Sequence, residues 1–443
     1  MQRQAIRNLR NPYSKKTKSP IHLLLGLSII LTLFLSIIYF LATNAFLPLE
    51  PIDTDISRPI SKSLSNSNAS LQIAYAISLT SCSKTPSLVD GAAILAHSIH
   101  LSSSRTSTSN SKYDYKLYAI VHKTAMSCKS TLETLGYEIL EVDIPVPVSE
   151  IQGDFLRERV PKNGCCGALE FIKLWAYTLV DHPFVVHLDL DTMVLKPMDE
   201  LFDAAIEGDT TKMKDSIMWP REHHDTTRNT EKSINAFFTR DYNMRPARRG
   251  PVGVQGGFIV LRPSMQTFRE FQDIIRKGDY TSNRGWGGKG FGPFYGAMTF
   301  QGIIPYYYDA LKPGTAVELN RCLYNTMGDN PRDKKTVKDV VSGNCQDGRE
   351  DCEDCRERNI GEIFTAHFTL CQKPWQCLHH NQDMLQHRLC RKLFHEWYRI
   401  RANFEKPSVA EDVVVGEGGY QPEHFRGFCK ASGAKGYIPL RFD

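Results

Sequence analysis

The first 49 residues contain no aspartate or glutamate, and the first 81 contain no cysteine. The missing acids matter most where the bases stop as well. Ile21–Leu41 reads IHLLLGLSIILTLFLSIIYFL, without Asp, Glu, Lys or Arg. A helix of about 20 apolar residues matches the hydrocarbon thickness of a bilayer, and it satisfies its own backbone there. Arg3, Arg7, Arg10, Lys15, Lys16 and Lys18 precede the run, and Glu50, Asp53 and Asp55 follow it. The positive-inside rule predicts a cytoplasmic basic tail over 1–20, a transmembrane signal anchor over 21–42, and a lumenal remainder. A cleaved signal peptide has a shorter apolar region, roughly 7–15 residues, ending at a small-x-small site. Ala42-Thr43-Asn44-Ala45 is a poor site of that kind, so an uncleaved anchor is favoured. The expected localisation is a single-pass type II protein of the Golgi membrane, with the endoplasmic reticulum as the alternative.

Net positive charge is lacking elsewhere. The chain of 443 residues is formally +5, and the six bases of the tail exceed that, so the remainder is close to neutral. No basic field for nucleic acid is left. No internal repeat is present. All 12 cysteines lie beyond the apolar span. In an oxidising lumen an even count predicts disulfides, with connectivity open. Cys352-Glu353-Asp354-Cys355 has the spacing of half a zinc site, but no second pair accompanies it, and disulfide pairing is preferred. Asn68-Ala69-Ser70 is the one glycosylation sequon, and it falls in the expected compartment.

Residues 43–70, rich in Ser, Asn and Pro, read as a flexible stem. Order is expected over 71–443. LQIAYAISLT reads as a buried strand, LVDGAAILAHSIHL as a helix and KLYAIVH as a second strand. GALEFIKLWAYTLV follows as a helix and PFVVHLDLDTMVL as a strand. This alternation predicts an α/β fold around a parallel sheet. Two charged stretches, 208–250 and 328–360, break the rhythm and read as insertions or loops.

The chemistry is expected at the polar end of VVHLDLDTMVL. Ligands of open α/β sheets bind beyond the carboxyl ends of strands. Alternation along a strand would put Asp189 and Asp191 on one face. Two close carboxylates repel unless a cation lies between them, and a divalent metal meets that need. Such a metal would neutralise charge on a leaving diphosphate. The same D-x-D also opens phosphatases of the haloacid dehalogenase type, with Asp189 forming an aspartyl-phosphate. Their fifth position is Thr or Val where this chain has Met193, and over a hundred lumenal residues precede the pair here.

Taken together, the residues resemble glycosyltransferase family 8, the glycogenin-like group, in five segments between Leu71 and about Leu378. Ala76-Ile77-Ser78-Leu79-Thr80 resembles the strand that cradles the uracil base. Phe171-Ile172-Lys173-Leu174-Trp175 resembles the helix whose Lys helps bind the donor. LDLDTMVLKPMDELF resembles the metal-binding strand and its continuation. Val254-Gln255-Gly256-Gly257-Phe258-Ile259-Val260 resembles a strand opening N-[ST]-G beside the donor sugar. His367-Phe368-Thr369-Leu370-Cys371-Gln372-Lys373-Pro374-Trp375 resembles H-x-x-G-x-x-K-P-W. The resemblance implies a GT-A fold with a mixed central sheet. It implies retaining, Mn²⁺-dependent transfer (Mg²⁺ as the alternative ion) from a UDP-sugar to a glycan, glycoprotein or glycolipid acceptor. Asp189, Asp191 and His367 would hold the metal. Leu79, Thr80, Lys173, Asp189, Gly257 and Lys373 would bind the donor, and Asp191 and Gln301 would serve catalysis. Imidazole with carboxylates suits Mn²⁺, and a Lys is a compact partner for phosphate.

The chain departs from the family at three places. Gln255-Gly256 replaces Asn-Ser, Leu370 replaces the Gly after the metal His, and Phe300-Gln301 stands where an Asp-Gln pair is usual. These touch the sugar pocket more than the metal site, and they keep open an inactive binding relative. Gly285-Trp286-Gly287-Gly288-Lys289-Gly290 does not sit between an obvious strand and helix, so it reads equally as an acceptor-side loop or a plain turn. His223-His224 and the cluster Arg245, Arg248, Arg249 read as solvated surface. Tyr306, Tyr307 and Tyr308 resemble a strand end and read as packing. Cys165-Cys166 reads as structural.

Overall fold

A computed structural model of the chain describes residues 71–82, 87–213, 215–217, 233–244, 250–335, 341–377, 388–405 and 437–440. The expected tail, anchor and stem lie outside these residues. So do the Asn68 sequon, His223-His224 and the Arg245, Arg248, Arg249 cluster. Among the described residues no helix is long and apolar enough to cross a membrane.

Seven strands make the central sheet: β1 (Gln72–Leu79), β2 (Asp114–His122), β3 (Tyr137–Val142), β4 (Val185–Leu188), β6 (Ala236–Arg240), β7 (Val254–Leu261) and β10 (Ala316–Glu318). Between the fourth and fifth of these lies β5 (Thr192–Val194), which pairs elsewhere. The sheet order is β10-β6-β7-β4-β1-β2-β3. Neighbours are parallel except that β7 runs against both β4 and β6. The sheet is therefore mixed but mostly parallel. The chain steps outward from β1 to β2 to β3, then returns to the other flank of β1 as β4. Such a reversal of strand order opens a crevice at the carboxyl ends of the two central strands. Leu79-Thr80 and Asp189 lie at those ends.

Burial explains the elements. β4 and β7 are buried at every position, as strands covered on both faces must be. Along β1 the side chains alternate: Ile73, Tyr75 and Ile77 join one core, and Ala74 and Ala76 the other. The helix Ser87–Leu101 covers the first face with Ala92, Leu95 and Ile99. The helix Met265–Lys277 covers the second with Phe268, Phe271 and Ile275; Ser264 caps it by accepting from Thr267 N at 3.2 Å. A third core forms where the helix Arg388–Glu405 packs Leu393, Phe394 and Trp397 against Met193 and Phe368. Each such fully buried side chain contributes about 1.5–3 kcal/mol.

The structure corrects several expectations. Gly167–Thr178 is helical but wound as 3-10; hydrophobic spacing alone does not separate i+3 from i+4 winding. The strand expected over 183–195 is split into β4 and β5 by a turn at 189–191. The charged stretch 208–250 contains β6, whose AFFTR is mostly buried. The charged stretch 328–360 contains a hairpin, β11 (Arg332–Lys335) with β12 (Val341–Cys345). It is tied down by Cys345–Cys352 and Cys322–Cys355, so the C-x-x-C cysteines join different partners and form no zinc half-site. Cys82–Cys128 and Cys371–Cys390 are also bridged. Tyr306–Leu311 is a π-helical turn that continues the helix Phe300–Pro305 rather than a strand end. The glycine-rich stretch starts in a two-stranded ribbon, β8 (Tyr280–Thr281) with β9 (Gly285–Trp286). Cys165 and Cys166 are free thiols.

Candidate active site

The turn that splits the expected strand is what creates the site. Thr192 N and Oγ1 both donate to Asp189 O, at 3.0 and 2.6 Å, closing a tight turn around Leu190 and Asp191. Asp189 N donates to Gly257 O at 3.1 Å, so the turn is sewn to β7. β5 leaves the turn and pairs antiparallel with β13 (Thr365–His367), which sets His367 opposite Thr192. Phe368 N donates to Asp191 O at 2.9 Å. Ladder register thereby delivers His367, remote in sequence, to the side of Asp191.

The resulting cluster is compact. Asp189, Asp191 and His367 each offer a ligand atom within 4.8 Å of the others. His367 Nε2 lies 3.2 Å from Asp191 Oδ1. The His367 ring is buried, and its Nδ1 has no hydrogen-bond partner among the described residues. Gly257 makes room for that ring: a Cβ there would fall 2.2 Å from Cε1 and 2.4 Å from Nδ1. Gln255 Oε1 holds this strand end by accepting from Gly257 N at 2.7 Å and from Asn325 Nδ2 at 3.1 Å.

Two ammonium groups face the carboxylates. Lys173 Nζ donates to Asp189 Oδ1 at 2.7 Å and to Gly256 O at 3.1 Å, and lies 3.3 Å from Glu170 Oε2. Lys373 pairs with Asp191. The adjoining Pro374 and Trp375 anchor Lys373: Pro374 O accepts from Tyr398 Oη at 3.0 Å, and Trp375 packs edge-on against Trp397. Burial would lower the Lys173 ammonium, but the Asp189 and Glu170 charges outweigh it and hold its pKa above the usual range. Burial raises the Asp189 carboxyl even against Lys173. At Asp191 burial acts in the same direction, yet His367 and Lys373 prevail and hold the carboxyl below its usual range. One carboxyl is pushed up and its neighbour down, the separation expected of coupled groups at a functional site.

Gln301 reaches the same place from the helix Phe300–Pro305. Its Oε1 accepts from Gly256 N at 3.3 Å and its Nε2 donates to Tyr295 O at 2.9 Å. Phe300 is fully buried, its ring 5.6 Å from Lys173 Nζ and 6.3 Å from the His187 ring. Leu370 is exposed. Leu79 and Thr80 end β1 at the neighbouring strand tip. Every sequence-identified site residue thus lies on this edge of the sheet or in the elements joined to it.

Sequence reasoning missed Glu170, His187 and Asn325. Glu170 stands three residues before Lys173, a readable helical pairing. His187 is two residues before Asp189; its Nε2 meets Ser78 Oγ at 2.7 Å, and burial drives its pKa far down, so the ring is neutral. Asn325 carries no local signal.

Two carboxylates and an imidazole nitrogen suit a divalent ion such as Mn²⁺, and the present spacing of their ligand atoms fits one. No family model and no curated protein matches the chain. Among solved structures the chain is similar to mouse xyloside xylosyltransferase 1 in its apo form, at 12% identity over 69% of this chain and 99% of that one, TM-score 0.37. It is similar to an active-site mutant of LgtC at 11% identity over 74% and 95%, TM-score 0.39. It is similar to the glycosyltransferase GlyE of Streptococcus pneumoniae TIGR4 at 12% identity over 76% and 65%, TM-score 0.34.

Proposed function

We propose that the chain is a retaining glycosyltransferase of the GT-A, family 8 kind. It moves a sugar from a nucleotide diphosphate donor, UDP-linked, to a glycan, glycoprotein or glycolipid acceptor in the Golgi lumen, from a type II membrane anchor. The observation that carries the reading is the meeting of Asp189, Asp191 and His367 with the two ammonium groups of Lys173 and Lys373 beyond the carboxyl end of β4. Acids that bind a cation and bases that bind a diphosphate are both needed for a nucleotide-sugar donor, and they are needed side by side.

Asp189, Asp191 and His367 would hold Mn²⁺, with Mg²⁺ as the alternative; the ion neutralises charge on the departing diphosphate. Lys173 and Lys373, which now neutralise the two aspartates, can turn to phosphate oxygens when a cation takes over that role. Thr80 and Leu79 border the nucleotide. Gly257 and Gln301 border the sugar, and the bond that Gln301 Oε1 accepts from Gly256 N holds that border to β7. In line with the resemblance to family 8, the leaving diphosphate would be the base that takes the acceptor proton on the retained face.

The test is Mn²⁺-dependent hydrolysis and transfer by the full-length chain against a panel of UDP-sugars, beside Asp191→Ala. Turnover lost in the variant supports the assignment; equal activity in both chains overturns it. Phe300, apolar where the family carries an acid, favours a second reading, a lumenal binding protein that has kept the fold. Binding of UDP and Mn²⁺ without turnover of any donor would select that reading.

A further inference from the structure

Every other cysteine of the described residues is disulfide-bonded, but Cys165 and Cys166 are free. Their sulfurs lie 2.8 Å apart, and Cys165 Sγ donates to Glu170 Oε1 at 2.9 Å. Cys165, Cys166 and Glu170 each offer one ligand atom within 4.8 Å of the others. The backbone holds this arrangement, since Gly164 and Gly167 on either side have φ of +66° and +60°. A Cβ at Gly167 would meet Pro161 O at 2.2 Å. The turn is therefore built by glycine and does not depend on the thiols.

We propose that Cys165, Cys166 and Glu170 form a second metal site, distinct from Asp189, Asp191 and His367, for a thiophilic divalent cation of the zinc and cadmium class. Two thiolates and a carboxylate oxygen are a soft donor set. Three protein ligands leave a coordination position for water. Binding deprotonates both thiols, so each ion that enters releases two protons to solvent. The two sites are connected through Glu170. Its Oε1 faces Cys165, while its Oε2 is 3.3 Å from Lys173 Nζ, which in turn is 2.7 Å from Asp189 Oδ1. A cation on Oε1 draws charge from the carboxylate that supports Lys173, and so weakens that ammonium's placement. Occupancy of the thiol site therefore slows use of the donor. This link to activity rests on the proposed transfer reaction; the binding itself does not.

Cadmium titration of the full-length chain tests the site, read by the thiolate-to-cadmium charge-transfer absorbance and by calorimetry in two buffers of different ionisation enthalpy. One ion per chain with two protons released is expected. Cys165→Ser and Cys166→Ser should each weaken binding by about tenfold or more, and Asp191→Ala should leave the absorbance band unchanged. A band that survives in the double serine variant, or that disappears in Asp191→Ala, overturns the proposal. So does a native chain in which these two residues titrate as no free thiol, because the pair is then a vicinal disulfide. If a serine variant does not fold, alkylating the native thiols must abolish the band, and persistence of the band would equally sink the site. Zinc should also inhibit Mn²⁺-dependent donor hydrolysis in the native chain and not in Cys166→Ser. A chain without transferase activity fails this last readout alone and keeps the band.

Discussion

Asp90 and Asp191 both face a cation, and their settings are opposite. Asp90 is sealed, with its side chain and that of Arg401 each 1% exposed. Tyr437 donates to its carboxylate, Leu440 N donates at 3.3 Å, and Arg401 Nη1 lies 3.9 Å away. Arg401 is in turn held by Tyr437 Oη at 2.7 Å, Ile438 O at 2.6 Å and Glu405 at 3.1 Å. The cation there is a guanidinium locked in place. At Asp189 and Asp191 the side chains are 31% and 16% exposed and face two lysines. Among the described residues no backbone N–H donates to either carboxylate. A flexible ammonium is an exchangeable partner where a fixed guanidinium is not. The first assembly belongs to the fold. The second pairs its carboxylates with ammonium groups that another cation could replace. The two are neighbours, since a Cβ at Gly91 would fall 2.7 Å from the Leu190 carbonyl.

The contrast breaks most visibly by removing one member from each side. Asp191→Ala should lower Mn²⁺-dependent transfer by about a thousandfold, the several kcal/mol that a metal contributes to charge stabilisation. Unfolding free energy should change by less than about 3 kcal/mol, because Lys373 can return to water and the main cost is the buried His367 Nε2 left without its partner. Arg401→Ala should do the reverse. It strands Asp90 without its cation and should cost about 3–5 kcal/mol in denaturant unfolding, while the folded fraction keeps its specific activity. If Asp191→Ala proves the more destabilising of the two, the distinction between a sealed and an exchangeable pair fails.

The same contrast separates what was legible from what was not. Asp189 and Asp191 stood out in the sequence because two carboxylates at the end of an apolar strand are costly without a purpose, whereas Lys173, His367 and Lys373 stood out only through the resemblance to family 8 segments. β1, β2 and β4 were legible because strands buried on both faces are largely apolar, and β7 was legible through the resemblance. The pairing of β5 with β13 was not, because register over such a separation is set by tertiary packing rather than local pattern. β6 was hidden for a related reason, its five residues sitting inside a polar stretch. Asp90 attracted no notice at all. Its partner Tyr437 is 347 positions away, and nothing near Asp90 announces the bond.

Gly257→Ala gives a subtler test on the functional side. The new Cβ would strike the His367 imidazole at 2.2 Å. The ring must rotate or shift, because the glycine is held through its backbone N–H by Gln255 and through its carbonyl by Asp189. Displacing one ligand should reduce Mn²⁺ affinity and transfer by about 10–100-fold. The loss should be partly recovered at high Mn²⁺, as it would not be after Asp191→Ala. Activity equal to the native chain would show that the His367 position is not critical.

The smallest effect lies in pH. Burial raises the Asp90 carboxyl to about 6, against the lowering effects of Tyr437 and Arg401. A carboxyl raised above its unfolded value binds a proton more tightly in the folded chain. Its contribution to stability is full below the unfolded pKa of about 4 and is lost as pH rises through about 6. Between pH 5 and pH 7 this one group should remove about 1 kcal/mol of unfolding free energy. Asp241, also raised to about 6 by burial and by Asp329, acts in the same direction, so the native chain alone does not isolate Asp90. The difference between the native chain and Asp90→Asn does. Asparagine keeps an acceptor for Tyr437 and cannot ionise, so denaturation curves of the variant should fall less between pH 5 and pH 7. Parallel curves for the two chains would mean that Arg401 keeps Asp90 ionised across this range, and the sealed pair would then be a true ion pair rather than a protonated carboxyl beside a guanidinium.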